Sequence, residues 1–117
     1  MTVDQIVKCL PCTVVVRGDN YDTAQIKSLV LSDLMSDVLT TTEENFIIVT
    51  SLNSEQVVRT ADIVGAAGIL LVNGKQPQEA MKKLAKEHGL TLLSSPSDSY
   101  RVCMAIGSVL GKESSEK

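Results

Sequence analysis

The chain has 117 residues, 44% of them hydrophobic and 21% charged, which suffices for one domain with a buried core and is too little for two. A net charge of -3 and only three aromatic side chains, those of Tyr21, Phe46 and Tyr100, argue against a nucleic-acid binder, which needs a basic face or stacking platforms. No apolar run approaches the roughly 18 residues of a membrane helix, and the first residues lack a signal-peptide pattern, so we expect a cytoplasmic protein.

The first predicted element is a helix that starts at a capping box. Thr2 can accept a hydrogen bond from the amide of Gln5, and the Gln5 side-chain oxygen can accept one from the Thr2 amide. Pro11 ends this helix because it cannot continue the hydrogen-bond ladder. Residues 13–17 follow as a strand rich in β-branched side chains.

A second strand is predicted over residues 28–31, followed by a short helix within residues 32–39. Ser32 or Asp33 can cap this helix. The side chains predicted to face the core are those of Leu34, Val38 and Leu39.

Three short apolar runs that end in small polar residues are the strongest signal in the sequence. They span residues 46–51, 68–73 and 90–95, and each is followed by helical periodicity. Buried parallel strands have near-continuous apolar runs of this kind, and strand–helix alternation favours right-handed crossovers. We therefore predict a single α/β domain over residues 1–110 with a mainly parallel sheet of about four to five strands.

Capping signals mark the helices that follow these strands. Asn53 or Ser54 is expected to begin one helix, Pro77 to hold the first position of the next, and Ser97 to cap the last. The predicted inward-facing side chains are Val57, Val58, Ala61 and Val64, then Ala80, Met81, Leu84 and Ala85, then Val102, Cys103, Ile106, Val109 and Leu110. Residues 111–117 are polar, and we expect a disordered tail there.

Polar residues follow the three apolar strands at their carboxyl ends, the edge where parallel sheets bind ligands. The residues of this predicted ligand site are Asn53, Ser54, Asn73, Gly74, Lys75, Ser95 and Ser97. Helix amides and one lysine could hold a nucleotide or another small anion there. Because no glycine-rich phosphate loop follows any strand, a rim of satisfied polar groups without a ligand is the alternative.

The sequence shows no convincing catalytic set, so we expect no enzyme activity and no cofactor. Asp33 and Asp37 are four residues apart and could hold a divalent cation, although a helix cap and a solvated side chain are commoner roles. His88, the single histidine, lies in the last turn of a predicted helix, where it can satisfy terminal carbonyls.

Cys9 and Cys12 have the two-residue spacing of zinc and redox sites. They follow a helix instead of opening one, so no helix dipole lowers a thiol pKa. A structural zinc site needs about four ligands, and the other soft candidates, Cys103 and His88, are distant in sequence. We therefore predict no metal site and favour a structural role. Metal binding, including a metal shared with a second subunit, or redox use is the alternative.

The last predicted helix is apolar over more than one stripe. Such a surface suggests a protein interface, most simply that of a homodimer. The predicted interface residues are Tyr100, Met104 and Val109.

Several blocks of the sequence resemble, in the same order, those of the DRTGG-domain family. Residues 32–39, Ser-Asp-Leu-Met-Ser-Asp-Val-Leu, are similar to the Ser-Asp-Leu-Leu-Ser-Asp-Val block of that family. Residues 67–77 resemble its third strand and the following loop, and residues 92–100 its final strand and helix start. The resemblance covers about residues 2–110.

The resemblance implies a three-layer α/β/α fold like the N-terminal domain of HPr kinase. Members of the family occur beside nucleotide-sensing CBS domains and as small standalone proteins associated with iron-only hydrogenase systems, and this chain looks most like the standalone type. The family implies a regulatory or architectural role, with no catalytic residues to carry over. Its name-giving Asp-Arg is replaced near residues 51–53, and its Thr-Gly-Gly keeps only Gly74.

We therefore expect a non-catalytic regulatory or protein-interaction module that forms a homodimer and serves a partner protein of a redox or hydrogenase complex. The alternative is an effector-binding domain that senses an adenine nucleotide or another small anion at the carboxyl ends of the strands.

Overall fold

The computed structural model describes residues 1–115. The strands are β1 Thr13–Val16, β2 Ser28–Leu31, β3 Phe46–Thr50, β4 Gly68–Leu71 and β5 Thr91–Ser94. The helices are α1 Val3–Cys9, α2 Met35–Val38, α3 Glu55–Val64, α4 Glu79–Glu87 and α5 Ser99–Ser115. Over this part of the chain, no helix combines the length and the hydropathy that a membrane crossing requires.

The five strands form one sheet in the order β1-β5-β4-β3-β2. The neighbours β2, β3, β4 and β5 pair in parallel, and β1 joins β5 antiparallel at one edge. The register of β1 shifts between Val14 and Val16, as in a β-bulge on an edge strand. The predicted mainly parallel α/β sheet is thus confirmed, with an antiparallel edge strand as an addition.

Helices cover both faces of the sheet. The strand order from β2 to β5 follows the chain, so crossovers of one hand place α2, α3 and α4 on the same face. Phe46 and Ile48 of β3 pack in the core under these three helices, whereas Ile47 and Val49 pack in a second core under α1 and α5. The three-layer α/β/α architecture is therefore confirmed.

The N-terminal helix begins as the sequence predicts. The Gln5 amide donates to the Thr2 hydroxyl at 3.2 Å, and the Thr2 amide donates to the Gln5 side-chain oxygen at 2.8 Å. This reciprocal pair is the predicted capping box. It fixes the start of α1, whose Val3 and Ile6 side chains are buried in the second core.

The prediction for α2 is wrong about its start and, except for Val38, about its inward face. The helix begins at Met35, and neither Ser32 nor Asp33 caps it, because Leu34 occupies the N-cap without a side-chain hydrogen bond. This later start turns Met35 and Val38 into the core and leaves Leu34 and Leu39 exposed.

Two further helix starts also differ from prediction. Helix α4 begins at Glu79, so Pro77 precedes the helix instead of holding its first position. Helix α5 is capped by Asp98 and not by Ser97, since the Asp98 carboxylate accepts from the Arg101 amide at 2.8 Å. Within the predicted apolar stripes, Ala80 is exposed, and the half-buried members are Val64, Leu84, Cys103, Val109 and Leu110.

The last helix extends beyond residue 110, where the sequence predicts its end. It continues through Ser115, so α5 includes residues 111–115 of the segment for which the sequence predicts a disordered tail. The last two residues of that predicted tail, 116 and 117, lie outside the described residues.

Candidate functional site

The carboxyl ends of β2 to β5 form one edge of the sheet. Helices α3, α4 and α5 begin there because each follows a parallel strand. We define the rim as the loops 51–54, 72–78 and 95–98 that follow β3, β4 and β5 at this edge. All the residues of the predicted ligand site lie in these loops: Asn53, Ser54, Asn73, Gly74, Lys75, Ser95 and Ser97.

Hydrogen bonds join the first two rim loops. The Asn53 side-chain amide donates to the Gln76 carbonyl at 2.7 Å. In return, the Gln78 backbone amide donates to the Asn53 carbonyl at 3.1 Å. Asn53 is therefore committed to holding the loops together, whereas the neighbouring Ser54, at the N-cap of α3, makes no side-chain cap bond.

The second and third rim loops are joined in the same way. The Asn73 amide donates to the Ser97 carbonyl at 2.8 Å, and the Gly74 amide donates to the Ser95 carbonyl at 3.0 Å. The Ser95 hydroxyl donates to the Pro11 carbonyl at 2.6 Å and accepts from the Ser97 amide at 3.1 Å. These backbone amides are thus already used and cannot cradle an anion without a rearrangement of the loops.

A tight turn after β4 carries the rim lysine. Asn73 and Gly74 have φ values of 61° and 68°, and the Lys75 amide donates to the Val72 carbonyl at 3.2 Å. Two successive left-handed residues make a type I′ turn, for which Asn-Gly is the preferred sequence. The Lys75 side chain is exposed, and no ion pair holds it among residues 1–115.

The groups left open at the rim are few. The first turns of α3 and α4 have no side-chain cap at Ser54 and Gln78, so amide donors and the positive helix ends are available beside Lys75. Glu55 and Glu79 lie in the same first turns and oppose an anion. Lys75 is the exposed cationic side chain beside these open helix ends.

Asp33 has a role that the sequence analysis missed. Its carboxylate accepts hydrogen bonds at 2.9 Å from the Thr50 hydroxyl, at 2.8 Å from the Ser51 amide and at 2.7 Å from the Ser51 hydroxyl. The pKa of Asp33 is lowered mainly by the hydrogen bonds from the Ser51 amide and hydroxyl, and less by the bond from the Thr50 hydroxyl. Asp33 thus ties the chain after β2 to the end of β3. Asp37, the other half of the proposed cation pair, is exposed.

We predict that Asp33→Ala lowers the free energy of unfolding by about 1–2 kcal/mol at neutral pH, because three donors lose their acceptor at a partly solvated site. Asp37→Ala, which removes the same charge from the exposed face of α2, should change it by less than about 0.5 kcal/mol. Urea unfolding of both variants measures this difference.

The contribution of Asp33 to the free energy of unfolding changes with pH in one direction. Because the folded pKa of Asp33 is lowered, its contribution is present above the unfolded pKa and is lost as pH falls through the folded value. The gap between wild type and Asp33→Ala should therefore close in acid. A gap that widens in acid, or an equal loss in Asp37→Ala, would contradict the assigned role.

The cysteines lie in a setting that disfavours thiolate chemistry. Burial raises the pKa of Cys9 and Cys103, and it raises the pKa of Cys12 to about 11. Cys9 donates to the Ile6 carbonyl at 3.4 Å, and both Cys9 and Cys12 pack against the second core. Among the described residues, no three His, Cys, Asp or Glu side chains are grouped to hold a metal ion.

We expect the Cys12 thiol to react with iodoacetamide at neutral pH at least about tenfold more slowly in the folded chain than in guanidinium, because the reactive species is the thiolate. The Cys9 and Cys103 thiols should also react more slowly in the folded chain. Mass spectrometry of timed samples gives both rates. Native-state labelling at Cys12 as fast as in the denatured chain would contradict this account.

The predicted interface residues divide into two groups on α5. Tyr100 and Met104, four residues apart on one helix face, have 71% and 59% of their surface exposed. Val109 is half-buried and packs against the second core. Exposed Leu31 on β2 lies on the same side of the sheet, since its neighbour two residues back, Leu29, packs in that core too.

His88 lies at the far end of α4 from the rim. It is the C-cap residue of that helix, and its amide donates to the Leu84 carbonyl at 3.0 Å. Its predicted place at the end of the helix is confirmed, and its side-chain Nδ1 atom lies 3.5 Å from an Asp62 carboxylate oxygen. Within the described part of the chain, no serine or cysteine lines the small cavity beside it.

Comparison with known proteins gives two findings. Residues 5–109 match the family described as the DRTGG domain. A solved structure of the CBS and DRTGG domains of the regulatory region of Clostridium perfringens pyrophosphatase, complexed with its activator diadenosine tetraphosphate, has a similar fold, with a TM-score of 0.70 at 16% identity. The similarity covers 90% of this chain and 45% of that one, so the chain spans less than half of that structure. No curated protein matches the sequence.

Proposed function

Because the chain belongs to the DRTGG-domain family, we propose that it is a non-catalytic regulatory module that self-associates and serves a partner enzyme complex. The family match over residues 5–109 is the observation that carries this proposal. The rim supports the non-catalytic role, because most of its polar groups are engaged in hydrogen bonds that hold the loops together. The partner that the sequence resemblance suggests is a protein of a redox or hydrogenase system.

The outer face of α5 supports self-association. Both faces of the sheet are already covered by helices, so exposed apolar side chains on α5 are not needed for the core. Tyrosine and methionine are enriched at protein interfaces, where they bury large areas at low entropic cost. We propose that Tyr100 and Met104 meet their counterparts across a twofold axis, with Val109 supporting the helix from beneath.

We predict that the protein is a dimer at protein concentrations of tens of micromolar, which is near the dissociation constant of a typical weak specific interface. The Met104→Glu variant should be a monomer at the same concentrations. The introduced carboxylate would be buried without a partner at the twofold axis. Sedimentation velocity at several concentrations measures the equilibrium.

Ile63→Glu is the matched control. Ile63 is 73% exposed on α3, which lies on the opposite face of the sheet, so this variant should remain a dimer. A monomeric wild type, or equal behaviour of the two variants, would reject the proposed interface.

A second function, effector binding at the rim, is favoured by one observation. Lys75 is an exposed lysine beside the uncapped N-terminal turns of α3 and α4, where an anion meets positive charge and amide donors. We propose an adenine nucleotide or another small anion as the ligand, held over Asn53–Ser54, Asn73–Lys75 and Ser95–Ser97. The activator in the pyrophosphatase structure, diadenosine tetraphosphate, belongs to this chemical class.

We predict that one member of a panel of AMP, ADP, ATP, diadenosine tetraphosphate and phosphate, with and without magnesium, raises the melting temperature saturably, because it binds only the folded state. Lys75→Ala should weaken that ligand by about fivefold or more through loss of a charge-assisted contact. Lys27→Ala removes the same charge at the opposite edge of the sheet and should leave the affinity unchanged. A flat panel would remove the effector proposal and leave the self-association proposal standing.

A further inference from the structure

A small cavity lies at the edge of the sheet opposite the rim. Its volume is about 170 Å³, and it is bordered by the ends of α3 and α4 and by the loop after β1. Asn20, Asp62 and His88 supply its polar wall, and Ala61, Ala66 and Leu90 its apolar wall. A cavity of this size accepts a molecule of a few heavy atoms.

The first indication of a ligand is an unpaired acceptor. The Asn20 side-chain oxygen is buried, and it is the one buried side-chain nitrogen or oxygen without a hydrogen-bond partner in the part of the chain that the structure describes. The amide nitrogen of the same side chain donates to the Ala67 carbonyl at 3.5 Å, which directs the oxygen away from that carbonyl. The last torsion of asparagine is soft, so this oxygen can turn to meet an N–H donor in the cavity.

The second indication is the electrostatic character of the wall. Helices α3 and α4 both end here at a glycine in the left-handed conformation, Gly65 and Gly89. Both ends have the same six-residue hydrogen bond, from Ala66 to Ala61 at 3.0 Å and from Leu90 to Ala85 at 2.9 Å. Two negative helix ends therefore border one cavity.

The charged side chain of the cavity wall is negative as well. Asp62 contributes a carboxylate in the last turn of α3, and its oxygen lies 3.5 Å from the His88 Nδ1 atom. Among residues 1–115, no lysine or arginine lines the cavity. A positively charged hydrogen-bond donor is the group that this set of acceptors recognises best.

We propose that this cavity binds a small primary alkylammonium group. The ammonium donates to the Asp62 carboxylate and to the Asn20 side-chain oxygen, near the negative ends of α3 and α4. The short alkyl chain lies against Ala61, Ala66 and Leu90. This site is separate from the rim and differs from it in the sign of the charge that it selects.

The test is a titration of the ¹⁵N-labelled full chain with propylammonium chloride, followed by NMR against sodium chloride at equal ionic strength. Saturable shifts are expected at the Asn20 side-chain amide and at the Gly65 and Gly89 backbone amides, with a millimolar dissociation constant that suits so small a ligand. Tetramethylammonium, a cation without N–H donors, should not produce them.

Asp62→Asn should weaken binding by about tenfold, since it removes the charge that pairs with the ammonium. Glu55→Gln, at the other end of the same helix, removes the same net charge and should leave the affinity unchanged. Absence of saturable shifts, equal shifts with tetramethylammonium, or unchanged affinity in Asp62→Asn would each overturn the proposal. The melting temperatures of both variants show whether a loss of binding comes from loss of the site or from loss of the fold.

Discussion

Burial of β3, β4 and β5 on both faces is the constraint on which the rest of the structure depends. Every residue of these three strands is buried, and alternate side chains belong to different cores. Such strands are stable only if helices cover both sides of the sheet. The chain meets this requirement with α2, α3 and α4 on one face and α1 and α5 on the other.

The same constraint gives the molecule two electrostatically different edges. Because α3 and α4 each follow a parallel strand, both begin at the rim and both end at the opposite edge. Their positive ends therefore lie beside Lys75, and their negative ends lie beside Asp62. One arrangement of two helices thus places positive helix ends at one edge of the sheet and negative helix ends at the other.

At the rim, the polar residues that predict a ligand site serve mainly to hold the loops of the fold together. Its serines, asparagines and backbone amides form a network that ties loops far apart in sequence, including the Ser95 bond to Pro11. This network satisfies groups that burial would otherwise leave unpaired. The recognition surfaces we propose lie where side chains remain unengaged, on the outer face of α5 and at Lys75.

Local patterns in the sequence determined the elements. The apolar runs placed the buried strands, the Thr2 and Gln5 pair placed the start of α1, and the polar residues after each strand were assigned to a common edge, where the structure finds them. The predictions that were wrong concern the starts of helices. Aspartate is a common N-cap residue, but the Asp33 carboxylate accepts three hydrogen bonds from Thr50 and Ser51, and it cannot make these while it caps α2.

Only the tertiary structure decided which polar groups are occupied and which are open. It engaged the amides of Asn73 and Gly74, left Met104 exposed, and brought Asn20, Asp62 and His88 around one cavity from three separate segments. Periodicity and capping depend on neighbours along the chain and can be predicted from them. Hydrogen-bond competition and burial depend on partners that the folded chain brings together from distant positions.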